Sequence, residues 1–147
     1  MTVDDDHHAI CTLLYRYAEL LDAGDFASVG ELFADADITI RGEVTGHGAA
    51  HVRAMFETMV VVHPDGTPRT RHLITNPIID FDGRDNARVR SCYTVLQQRE
   101  ARIDIVASGR HLDTMARRGG EWTFTSRDYG YLELVGDTSE HLRAQSR

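Results

Sequence analysis

Thr70-Arg71-His72-Leu73-Ile74-Thr75-Asn76-Pro77 is the stretch from which the fold of this chain is read. Strand parity would put His72, Ile74 and Asn76 on one side and Arg71, Leu73 and Thr75 on the other. The same strand-like character continues through residues 70–81, 87–98, 103–116 and 122–134. These runs are separated by Gly83-Arg84-Asp85-Asn86, by a short polar stretch at 99–102 and by Gly119-Gly120. Four such runs describe an antiparallel meander. Pro77 removes a ladder donor, so the first strand should bulge there or run at an edge, and a bulge is one way a sheet curves.

Upstream, Ile10, Leu13, Leu14, Tyr17, Ala18 and Leu21 recur at the three-and-four spacing of an amphipathic helix, preceded by aspartates and followed by Gly24. Asp25 can cap a short second helix burying Phe26, Val29, Leu32 and Phe33. Ile38-Thr39-Ile40 reads as a strand. Val52, Met55, Phe56, Met59 and Val60 then restore helical periodicity until His63-Pro64-Asp65-Gly66. The expected order is helix, helix, strand, helix and four strands. This is an α+β fold in which three N-terminal helices pack on a strongly curved, mainly antiparallel sheet, a cone-shaped roll. At 147 residues one domain spanning 1–147 is expected, with 136–147 as a loosely held tail.

Composition excludes several functions. The formal charge of −7 and the lack of a basic cluster argue against nucleic acid as a partner. No apolar run reaches the roughly 20 residues of a membrane span, and no targeting segment is visible, so the cytoplasm is the expected compartment. Every basic residue is arginine, which excludes Schiff-base chemistry through lysine. Cys11 and Cys92 lack metal or redox spacing and read as core residues. His47 and His51 lack the glutamate and third ligand of a zinc motif, so no metal and no cofactor is expected.

Asp22 falls in the last turn of the first helix, where the helix dipole disfavours a carboxylate by up to about 1 kcal/mol. Its placement suits either a solvated helix end or a partner for His72. His111 and Tyr93 fall on the inward sides of their strands, as cavity-lining groups or as satisfied core residues. Tyr17 is either a pocket hydroxyl or core, and Asp113 and Arg127 read as a structural pair.

The chain resembles the SnoaL-like proteins of the nuclear transport factor 2-like superfamily. The resemblance rests on Leu21-Asp22-Ala23-Gly24-Asp25, Glu31-Leu32-Phe33, the stretch from Thr70 to Asn76, Gly109-x-His111-x-Asp113 and Gly120-x-Trp122 with Arg127. In the related scytalone dehydratase and hexachlorocyclohexane dehydrochlorinase families, an aspartate and a histidine matching Asp22 and His72 form a catalytic dyad. The resemblance therefore implies Asp22 and His72 as catalytic, and the inward positions of Tyr17, Phe56, Asn76, Tyr93 and His111 make them the expected substrate-binding residues. The expected activity is a cofactor-independent lyase or isomerase that removes a proton from an apolar, ring-type small molecule. Scytalone dehydratase carries a second histidine where this chain has Ser91-Cys92-Tyr93, a departure that bears on dehydration itself. The alternatives are a non-catalytic partner subunit resembling the small subunit of ring-hydroxylating dioxygenases, and epoxide-hydrolase-like water activation. Apolar residues on the outer side of the sheet point to a homodimer or homotrimer.

Overall fold

The computed structural model describes residues 2–144. The first helix, α1 (Val3–Asp22), begins at a capping box: the Thr2 hydroxyl accepts from the Asp5 amide, and the Asp5 carboxylate accepts from the Thr2 amide. It ends because Gly24 takes a left-handed conformation (φ 76°) and lies against the Gly66 carbonyl, where a Cβ would collide. Asp25 then caps α2 (Phe26–Leu32) by accepting from the Ser28 amide at 3.0 Å.

A hairpin of β1 (Asp37–Ile40) and β2 (Glu43–His47) precedes α3 (Ala49–Met59). The remaining strands are β3 (Thr70–Asp82), β4 (Asn86–Arg99), β5 (Arg102–Arg118), β6 (Glu121–Asp128) and β7 (Leu132–Val135). They form one sheet in the order β2-β1-β6-β5-β4-β3, with β7 on β5.

One expectation about the sheet is corrected: it is neither closed nor strongly curved. It is a mixed sheet that is mainly antiparallel, with β1 running parallel to β6. The bulge expected at Pro77 is present, with the register shifting between Thr75 and Ile78 on the edge strand β3. It relieves one missing donor locally and does not roll the sheet into a cone. The run at 122–134 also divides, since the chain leaves β6 at Asp128 and crosses to β5 as β7. Gly109 allows that crossing: a Cβ there would strike the Tyr131 carbonyl, which instead accepts from the Arg110 amide at 2.9 Å.

Part of the segment expected as a loosely held tail makes contacts with the rest of the chain. Leu142 bridges to Val60, the Val61 amide donates to the His141 carbonyl at 2.8 Å, and His141 is buried. Residues 145–147 lie outside the described residues.

Between helices and sheet lies a core built on Ile10, Leu14, Tyr17, Val29, Phe33, Val52 and Phe124. Inside it Arg127 is wholly buried and grips Asp113 through two bonds of 2.7 and 2.9 Å. Its guanidinium stands 4.3 Å from the Tyr17 ring centroid and 5.0 Å from that of Phe124. Burial works against the charge, but the Asp113 carboxylate offsets it and keeps the guanidinium above its ordinary range. Arg127→Met should therefore cost about 3–5 kcal/mol in urea unfolding, since it strands a buried carboxylate. Replacing both partners with apolar residues should recover much of that loss. A single substitution that costs nothing would show that the pair does not hold the core.

Candidate functional site

Helix α1 delivers Asp22 to the free edge of β3. There the carboxylate accepts three bonds: from the Thr70 hydroxyl at 2.9 Å, the His72 amide at 2.8 Å and His72 Nδ1 at 2.6 Å. As β3 is an edge strand, the His72 amide has no sheet partner on that side, and the helix end supplies one. Both side chains are largely enclosed, His72 at 7% exposure and Asp22 at 12%. These donors offset the unfavourable placement of a carboxylate at a helix C-terminus. With Nδ1 committed to Asp22, Nε2 is the nitrogen available to a ligand.

Two hollows meet this pair. An open, polar groove of about 530 Å³ runs outside it along Glu19, Thr70 and Arg71. An inner cavity of about 150 Å³ lies between α1, α3 and the sheet, walled by apolar side chains including Leu21, Phe56, Met59 and Val95. The inner one is the candidate site. There the His72 imidazole is surrounded by apolar and aromatic side chains, with a few further polar groups among them, which is the composition of small-molecule pockets.

Tyr17, Phe56, Tyr93 and His111 all line this cavity, as their positions on α1, α3, β4 and β5 suggested. The hydroxyls of Tyr17 and Tyr129 lie 3.2 Å apart, and the His111 ring stacks on Tyr93 with centroids 4.4 Å apart. Asn76 does not join them. The bulge at Pro77 breaks the alternation, and Asn76 sits exposed with a left-handed backbone (φ 53°), a conformation asparagine tolerates. Leu14 and Phe33 belong to the core and do not line this cavity. His47 lies on β2, outside any helix, and bonds to Asp37 at 2.9 Å.

Two polar cavity residues escaped the reading of the sequence, Tyr129 and His141. Tyr129 lies in the break between β6 and β7, which reads as continuous strand, and His141 lies in a segment with no periodicity. The one available signal was chemical: a histidine in an otherwise bland tail.

Tyr17, Tyr93, Tyr129, His111 and His141 are held neutral. Burial pushes the Tyr17 and Tyr129 hydroxyls up and Tyr93 up to about 12. Burial, with the charges of Arg127 and His72 as lesser causes, holds His111 well below the usual histidine range. Burial and then the neighbouring His72 lower His141 to about 4.

The segment 4–128 matches the family model of the SnoaL-like domain. The chain belongs to that family. Solved structures with the same fold include Rv3472 from Mycobacterium tuberculosis, described as of unknown function (25% identity, 90% of this chain and 75% of that one, TM-score 0.69). A provisionally named scytalone dehydratase from Novosphingobium aromaticivorans is 22% identical over 90% of this chain and 87% of its own, with a TM-score of 0.69. From the same organism, the β subunit of a provisionally assigned aromatic-ring-hydroxylating dioxygenase is 20% identical over 94% and 96%, also with a TM-score of 0.69. No curated protein sequence matches the chain. The span matched holds Asp22, His72, Tyr93 and His111 of this chain, and it stops before Tyr129 and His141.

The two depressed histidines make stability depend on pH. An unfolded histidine titrates at about 6.5, so below that pH the unfolded chain binds more protons at these two rings than the folded one, down to about 4 at His141. The stabilisation is fully present above about pH 6.5 and is lost as pH falls toward about 4. The thermal unfolding midpoint should be level from about pH 8 to 7 and decline below about 6.5. A midpoint that holds or rises down to about pH 5 would contradict burial of these rings in the neutral form.

Proposed function

We propose that the protein is a small cofactor-independent lyase or isomerase in which His72 abstracts a proton from carbon. The observation that carries this reading is the placement of His72, with Nδ1 on a buried carboxylate and its ring on an apolar cavity. Asp22 fixes the tautomer bearing the proton on Nδ1, so that the Nε2 lone pair is the base. It also stabilises the imidazolium that forms, as a carboxylate does for histidine in other acid–base sites. The Thr70 hydroxyl and the His72 amide keep the carboxylate from turning away.

The cavity suits a mostly apolar, single-ring molecule whose acidic carbon lies next to a carbonyl or a leaving group. Tyr17, Tyr93 and His111 offer neutral hydrogen bonds for its oxygen, and Phe56 packs on its ring. The fold shared with a provisionally named scytalone dehydratase is consistent with this chemistry. Where that family carries a second strand histidine this chain has Ser91-Cys92-Tyr93, and the sheet register sets Ser91 directly across from His111 on the neighbouring strand. Dehydration by two strand histidines in that arrangement is therefore not part of the proposal.

The alternative of a non-catalytic partner subunit draws on the shared fold of the dioxygenase β subunit. An imidazole held by a carboxylate against an inner cavity is more than a docking module requires. Epoxide-hydrolase-like water activation is disfavoured because no carboxylate is among the described residues that line the inner cavity.

With a turned-over substrate in hand, His72→Ala and His72→Gln should each lower kcat by about 10²–10⁴ while the unfolding midpoint stays close to wild type. Asp22→Asn should lower kcat by a smaller factor. Full activity in a folded His72→Ala variant would remove His72 from the mechanism.

A further inference from the structure

We infer that His141 is a second working group of this cavity, a neutral N–H donor to the oxygen of a single-ring carbonyl compound whose adjacent carbon His72 deprotonates. The inference rests on the reading of His72 as base and adds the group that receives the charge that His72 creates.

His141 does not arrive at the cavity by chance of a loose end. The backbone around it is tied on both sides: the Gly136 amide donates to the Val106 carbonyl at 2.8 Å, and the Arg143 amide to the Met59 carbonyl at 2.9 Å. Arg99 donates to the Glu140 carboxylate at 2.8 Å and to the Asp137 carbonyl at 2.6 Å, while His63 Nε2 lies 3.0 Å from the Glu140 carbonyl. These bonds press the residue 137–143 segment over α3 and β5 and turn the imidazole inward, at 5% exposure. The ring stands edge-on to His72 with centroids 5.7 Å apart.

Its Nδ1 is buried without a hydrogen-bond partner among the described residues. A polar atom in that condition is costly to bury, and such atoms in folded proteins are seldom left unused. Burial and the nearby His72 keep the ring uncharged near neutral pH. A neutral imidazole has one N–H, and it can stabilise a developing oxyanion without giving up its proton.

The chemistry balances with no further reactant. His72 Nε2 takes the proton, the C–H electron pair becomes the carbon–carbon double bond of an enolate, and the carbonyl π pair moves onto oxygen. The oxygen accepts from His141. In a β,γ-unsaturated carbonyl compound the proton then returns from His72 to the γ-carbon: the oxygen pair re-forms the C=O, the enolate double bond shifts to between the α- and β-carbons, the former β,γ π pair takes the proton, and both histidines are restored. The cavity volume of about 150 Å³ is that of an engineered apolar cavity known to hold benzene, which limits the substrate to one ring while the segment is in place.

The test uses 4-nitrophenol, a single-ring oxyanion whose visible absorbance reports its ionisation, titrated into the full chain. Wild type should bind it as the phenolate. His141→Phe, which keeps the ring and removes the donor, should weaken phenolate binding by about tenfold or more. His141→Gln, which keeps an N–H, should recover most of that loss, with unfolding midpoints close to wild type in both. If His141→Phe does not fold, the same comparison is made between His141→Leu and His141→Gln. Phenolate affinity unchanged in the variant lacking the donor, yet lost in His72→Ala, overturns the role of His141 and leaves the Asp22–His72 reading standing. Affinity unchanged in both, or no binding to wild type, overturns both.

Discussion

Three donors converge on the Asp22 carboxylate, and the placement of the candidate site follows from that convergence. The last turn of α1 would repel a carboxylate on its own. It accepts one here because β3 ends the sheet and offers an unpaired backbone amide, a hydroxyl and an imidazole from alternate residues of one strand. The same contact answers two needs: it covers an exposed strand edge and it fixes a ring nitrogen. A one-residue slip of β3 against β4 would turn His72 to the outside and leave Asp22 without two of its three donors.

The electrostatics of the cavity suit the creation of charge more than its storage. Its tyrosines are held protonated and His111 and His141 uncharged, so these five meet a ligand as neutral hydrogen-bonding groups. Behind them Arg127 is fully charged, but Asp113 answers it within 2.9 Å. Negative charge that builds on a ligand would meet polar groups already oriented by packing, which is how buried sites stabilise transient anions. The cost of such an arrangement falls on stability at low pH, where the buried rings must lose their setting before they can take up protons.

Much of this was readable from residue patterns. The helices followed from apolar spacing and from Gly24 and Asp25, and the strand face of His72 followed from simple alternation. Pro77 announced a bulge on an edge strand, but the step from bulge to strong curvature was wrong: a local kink says little about whether a sheet of several strands closes. That same bulge took Asn76 out of the cavity, since alternation stops counting where the backbone turns left-handed. Tyr129 and His141 were invisible for a different reason. They sit on connecting segments held by long-range backbone bonds, such as that from Val61 to His141, and no local periodicity encodes such bonds.

The central claim, that Asp22 holds His72 as a base toward the cavity, is tested most directly by proton–nitrogen NMR of the histidine rings at neutral pH. The account predicts that His72 carries its proton on Nδ1, with a downfield ring N–H resonance that disappears in Asp22→Asn and an Nε2 that responds to a ring-sized ligand. A His72 ring protonated on Nε2 alone, unaffected by loss of the Asp22 carboxylate, would contradict it.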